Sequence, residues 1–364
     1  MKSRWDADVP RVPWVAAAAV LLSCEGAAPD PASLGGPTWV EQVVDSSMAL
    51  IGLWPVDESV VWVSGPGGRW GRTTDGGADW RFGVVPGADN LAFRDVHAFS
   101  EREALLLSIG NGPSSRIYRT DDGGDTWSLA FENPDPDAFF DCFSFWDRRR
   151  GFAFSDSHDG EFTLIRTDDG GASWTRIDPE LVPDARPGEG AFASSGTCVV
   201  TRPGGLGWFA TGASAVDTRV IRTTDYGETW TESITPIASD APTAGIFSLA
   251  FLDDTLGVAV GGDYGRGSEP TDAVALTTDG GANWSVRGHT GLGGAPYGVS
   301  WVPGAPSLTL VAVSPAGSVW SPDGGSTWAR IDSLSYWAVA FVGPAAGWAV
   351  GPGRIAHIRW TSPQ

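Results

Sequence analysis

Four carboxylic acids, Asp95, Asp141, Glu189 and Asp263, interrupt otherwise apolar, β-rich runs or the turns beside them (FRDVHAF, 93–99; FFDCFSF, 139–145; GEGAFASSGTC, 188–198; GGDYGRG, 261–267). Paired carboxyl groups are the machinery of glycoside hydrolysis, in which one acts as acid and the other as base or nucleophile about 5 to 9 Å away. Arg94, Asp156, His158, Tyr264, Arg266 and Tyr297 lie close to them in sequence or in equivalent loops. They add the charge, hydrogen-bonding capacity and aromatic surface of a binding face. Other chemistries lack their motifs. His97, His289 and His357 have no metal-ligand spacing, and HExxH, CxxC and GxSxG are missing. GGDYGRG has no P-loop lysine, so neither a metal nor a cofactor is expected.

Six further aspartates recur in one setting: TTDGGADW (73–80), TDDGGDTW (120–127), TDDGGASW (167–174), TTDYGETW (223–230), TTDGGANW (277–284) and SPDGGSTW (321–328). The pattern is [ST]-x-D-x-G-x-x-W, built on Asp75, Asp122, Asp169, Asp225, Asp279 and Asp323, and ending at Trp80, Trp127, Trp174, Trp230, Trp284 and Trp328. An Asp at this place closes an Asx-type turn on following backbone N–H groups. The second Gly supplies the positive φ of a tight hairpin, and the Trp supplies an apolar wedge. Chemistry needs one site, whereas six identical hairpins are architecture.

The aspartates are spaced 47, 47, 56, 54 and 44 residues apart, the length of a four-stranded propeller blade. Two apolar runs precede most boxes, for example IFSLAF (246–251) and GVAVGG (257–262), giving strands A, B, C, hairpin, D in each unit. Counting B strands gives seven units. The last, 335–360, lacks its outer strand, and TWVEQVV (38–44) resembles the missing piece. The expected fold is therefore all-β: a seven-bladed β-propeller over 38–364, closed by an N-terminal strand beginning at Trp39.

Composition agrees. There are 49 Gly, 26 Pro and 19% charged residues, as turn-rich all-β proteins have. The net charge of −20, with Arg148, Arg149 and Arg150 as the one basic cluster, argues against nucleic acid. At the start, Lys2, Arg4 and Arg11 precede the apolar run 12–22, which is too short to span a bilayer but suits a signal peptide. LLSC (21–24) resembles a bacterial lipobox in which Cys24 is lipidated; a plain secretory signal is the alternative. Residues 1–24 thus read as a leader and 25–37 as a tether. Cys142 and Cys198 fall in neighbouring repeats with nothing to fix their distance. Two buried free thiols are the expectation, a disulfide the alternative.

The six boxes resemble the Asp-box, or BNR repeat. The full layout, carried by FRDVHAF, SRIYRTDDGG (115–124), FFDCFSFWD, GFAFSDSHDG, GEGAFASSGTC, GIFSLAF, GVAVGGDY and LVAVSPAGSVWSPDGG, resembles the photosystem II stability/assembly factor-like family of BNR-repeat propellers. That resemblance implies a non-catalytic scaffold or assembly-type binding module. The enzymatic alternative is a glycoside hydrolase, sialidase- or glucanase-like; a sialidase would bring three carboxylate-binding arginines, of which Arg94 is one candidate. The long insertions, 155–162, 177–190, 234–245 and 261–273, all fall in B–C or D–A connections. Since strands alternate in direction, they gather on the face opposite the boxes. The partner expected there is an envelope protein or a glycan, bound by a monomer that meets the membrane only through its lipid.

Overall fold

The computed structural model describes residues 36–42, 45–214, 217–267 and 269–360. Cys24 and nearly all of the leader and tether lie outside them. The described chain forms seven four-stranded antiparallel sheets. Six are consecutive, over 52–84, 92–132, 140–176, 199–234, 244–288 and 298–332. The seventh comprises 338–360 completed by Pro37–Gln42. The first strands of the seven sheets contact one another in cyclic order, the seventh meeting the first, so the sheets are blades of a closed seven-bladed propeller. No helix among the described residues is long and apolar enough to cross a membrane.

The strand sequences follow from that arrangement. A blade is packed on both faces by its neighbours, so its middle strands are apolar throughout rather than alternating. Val61–Gly65 (VWVSG) and Leu310–Ser314 (LVAVS) are buried at every position. Each of the seven inter-blade seams holds its own apolar cluster, such as Trp62, Trp70, Leu106 and Tyr118 between blades 1 and 2. Another is Phe154, Phe209, Ile221 and Trp230 between blades 3 and 4.

Closure occurs where the sequence places it. Pro37–Gln42 pairs antiparallel with Arg354–Trp360, with Trp39 opposite Ile358. The strand starts two residues before Trp39, taking in Pro37 from the expected tether. Trp39 donates from Nε1 to Ser318 Oγ at 2.9 Å and packs 5.8 Å from Tyr336.

The six hairpins share one hydrogen-bond pattern. In the first, Thr73 Oγ1 donates to Asp75 Oδ1 at 2.7 Å and accepts from Gly77 N at 2.9 Å, while Asp79 N donates to Asp75 Oδ1 at 3.0 Å. Donors to the carboxylate hold Asp75 and Asp122 below the usual range, and the Asn283 side chain helps bring Asp279 to about 2. The fourth hairpin puts Tyr226 at φ 64°, where the other five have Gly. Left-handed backbone costs a non-glycine residue roughly 1–2 kcal/mol. Here the ring fits edge-on to Trp146 and lies 3.5 Å beneath the Arg150 guanidinium, contacts that offset the cost. The tryptophans are wedges, as Trp127 shows by packing on Trp62 and Trp70 of the preceding blade. The outer strands begin just after them, as in Ser128–Glu132.

The cysteine expectation is corrected. Cys142 and Cys198 form a disulfide with Cα atoms 6.0 Å apart. Cys142 sits on the inner strand of blade 3 and Cys198 leads into that of blade 4. Inner strands converge on the propeller axis, so residues 56 apart in sequence meet there.

Candidate functional site

At the mouth of the central channel lies a pocket of about 540 Å³. Arg94, Asp141, Phe247, Tyr297 and Trp337 reach it from the inner strands of blades 2, 3, 5, 6 and 7 or the residues leading into them. The remaining lining comes from the ends of B strands, including Asp156, and from B–C and D–A connections, including Glu189, Phe192 and Tyr264. The hairpins are C–D connections, so the pocket opens on the opposite face.

Local backbone geometry aims the key side chains. The pairing register slips between Phe93 and Asp95, between Phe140 and Cys142, and between Ile246 and Ser248. The residues left over are Arg94, Asp141 and Phe247. A β-bulge leaves one residue out of the ladder and turns its side chain; here each turns toward the channel mouth. The five pocket residues occupy one repeat position. Arg94, Asp141, Phe247, Tyr297 and Trp337 stand four residues ahead of Ala98, Phe145, Phe251, Trp301 and Phe341, which pair with Ala104, Gly151, Gly257, Leu310 and Gly347.

The rings form a continuous wall. Phe192 stacks on Phe247 at 4.1 Å, Phe247 on Tyr297 at 5.5 Å, and Tyr297 meets Trp337 at 5.2 Å and 66°. Tyr264, 47% exposed, stands edge-on to Phe192 and Phe247 at the rim. The Arg94 guanidinium sits 4.8 Å from the Trp337 ring, and its Nη1 donates to Ala193 O at 3.1 Å.

Asp141 and Asp156 lie in side-chain hydrogen-bonding contact. Burial, then the Asp156 charge, pushes Asp141 well above the usual carboxylate range, and burial raises Asp156 to about 6. Asp141 Oδ2 is buried without a donor, a cost that a proton shared with Asp156 removes. Asp156 Oδ1 also accepts from Ala191 N at 2.7 Å, tying the 184–198 segment to blade 3.

The other nominated residues have different placements. Glu189, which leads the GEGAFASSGTC run, does not lie on the inner strand of blade 4, which is Val199–Arg202. The run 190–198 is rich in small residues and forms the irregular wall instead. Both Glu189 oxygens are taken by Arg219, with Arg186 N donating to Oε2 at 2.8 Å. Arg219 is also paired with Glu232 and donates to Asp184 O. Asp95 is buried beneath the pocket, accepting from Val96 N and from Phe143 N of the next blade, and burial raises its pKa well above normal. Asp263 caps its own turn through Gly265 N and Thr243 Oγ1 and pairs with Arg266, which also meets Asp240. His158 sits outside the lining, 3.2 Å from Asp159 and 3.8 Å from Asp137. Phe192, Phe247 and Trp337 were missed by sequence reasoning. Among the described residues no three His, Cys, Asp or Glu side chains gather as a metal site.

No family model matches the chain, and no curated protein does. Solved structures do. "YCF48 bound to D1 peptide" is 17% identical, with a TM-score of 0.61 over 90% of this chain and 97% of that one. YCF48 from Cyanidioschyzon merolae is 16% identical, with a TM-score of 0.59 over 88% and 98%. A streptogramin B lyase is 12% identical, with a TM-score of 0.61 over 90% and 98%. At these identities the likeness is one of fold, and the fold carries both binding proteins and enzymes.

Proposed function

We propose that this chain is a non-catalytic, exported propeller of the Asp-box type, similar in role to photosystem II stability/assembly factor-like proteins. It binds an envelope partner, a protein in preference to a glycan, in the channel-mouth pocket opposite the hairpins. The observation that carries this is the pocket's construction. Five blades contribute the same inner-strand position, and the residue types there vary while the hairpins repeat. One structural neighbour is described as holding a peptide, which supports a protein partner. The Cys142–Cys198 disulfide supports export, since disulfides persist in oxidising compartments.

A hydrolase finds less support. Glu189, Asp95 and Asp263 are committed to internal partners, Asp141 and Asp156 touch each other rather than face across a gap of about 5 to 9 Å, and Arg94 is the one arginine in the pocket lining. The test is a photo-crosslinking residue at Tyr264, compared with one at Asp125 in a hairpin, in cells that express the chain. Capture from Tyr264 alone is expected. Equal capture from Asp125 refutes the choice of face. Loss of membrane fractionation in Cys24→Ala tests the lipid anchor.

A further inference from the structure

Arg94 is anomalous in this protein. Acids outnumber bases 44 to 24, and the arginines behind this wall are paired, Arg219 with Glu189 and Glu232 and Arg186 with Asp217. Among the described residues Arg94 has no carboxylate within ion-pair distance. Its Nε is buried without a hydrogen-bond partner, and its guanidinium is held by one carbonyl and the face of Trp337. A cation partly withdrawn from water costs free energy unless an anion meets it, and cation–π contact returns only about 0.5–2 kcal/mol. The bulge at Arg94 nevertheless fixes it at the pocket. Asp141 is near enough to feel its charge but turns its carboxyl to Asp156. Within reach of the guanidinium is the apolar wall of Phe192, Phe247, Tyr297 and Trp337.

We propose that the pocket takes a carboxylate borne next to an aromatic or large apolar group, with Arg94 as the counter-ion and the ring wall as the seat for that group. This rests on the reading that the channel-mouth face is the binding face. A cationic ligand would meet Arg94 directly, and a neutral one would leave it unpaired. Two sources carry this chemistry: a free aromatic acid, and the last residue of a peptide whose side chain and terminal carboxylate share one carbon.

The experiment titrates the purified chain by calorimetry with phenylacetate, N-acetylphenylalanine, its primary amide, and acetyl-Ala-Ala-Phe. The acids are expected to bind at least tenfold more tightly than the amide. Arg94→Gln should abolish that preference without lowering the unfolding midpoint, and Arg94→Lys should restore part of it. The lysine variant also keeps the test informative if the glutamine variant folds poorly. Tighter binding of the tripeptide than of N-acetylphenylalanine and phenylacetate identifies a chain terminus as source; the reverse order identifies a free acid. Equal affinity for acid and amide, or no binding of any acid, overturns the proposal. If crosslinking from Tyr264 persists in that case, only the ligand class fails; if crosslinking is lost too, the choice of face fails with it.

Discussion

Replacing Glu189 by Gln is the sharpest test of how the pocket wall is held. The Glu189 and Arg219 side chains are 0% and 2% exposed. Their contact is bidentate, one arm being Nε to Oε1 at 2.8 Å. Removing one partner of a buried ion pair costs about 3–5 kcal/mol, because the surviving charge stays buried. Arg219 keeps Glu232, whose side chain is 40% exposed, and the Asp184 carbonyl, which places the loss at the lower end. A loss of about 3 kcal/mol is roughly a hundredfold in the unfolding equilibrium, at 1.4 kcal/mol per factor of ten. Urea denaturation followed by tryptophan fluorescence would read it. Glu189→Leu combined with Arg219→Met should cost less than Glu189→Gln alone, since it removes the stranded charge. A single variant within 1 kcal/mol of the parent, or a double variant worse than the single, would show that the pair does not hold the wall.

Changing Cys142 to Ser should destabilise the chain by about 4 kcal/mol, the loop-entropy value for a separation of 56 residues; mass spectrometry after alkylation without reductant should find both residues unmodified in the parent. Acid should unfold the protein progressively. The hairpin carboxylates titrate below their unfolded values, so their contribution is present above about pH 4 and is lost as pH falls toward 2, which circular dichroism would follow. Asp141 and Asp156 act in the opposite sense, being raised in the folded state. Their deprotonation as pH climbs through about 6 and above adds negative charge beside Arg94. The groups around them are Tyr297 and Tyr264 on blades 6 and 5 and the internally paired Glu189. Affinity for a carboxylate probe should therefore fall with rising pH, and Asp141→Asn should flatten that profile. Removing residues 1–42 should expose the edge of Arg354–Trp360 and produce oligomers on size-exclusion chromatography.

The fold was legible because the hairpin's needs are local. An Asx turn, a positive φ and a wedge are written in eight residues, and their spacing counts the blades. The pocket was legible only in part, because it is assembled across blades. Asp95 was nominated with Asp141 because each interrupts an apolar run at the same place, third in FRDVHAF and third in FFDCFSF. The structure instead makes Ala98 the equivalent of Phe145, which moves Arg94 to the pocket and Asp95 beneath it. Phe192, Phe247 and Trp337 look like core residues in a strand pattern, and only the bulges and the D–A wall separate them from the core. Glu189 and Asp263 stand out as polar breaks, but their partners, Arg219 and Thr243, lie 30 and 20 residues away. Nothing in a linear reading shows those partners. Free thiols were expected in place of the Cys142–Cys198 disulfide for the same reason.

The seventh blade joins the earliest described residues to the latest, Thr38 lying opposite Arg359. During synthesis the first of these segments must wait, without its pairing partner, while more than three hundred residues follow it out of the ribosome. The ring can lock only after Arg354–Trp360 has been made. A product ending anywhere before the last strand therefore has no way to close.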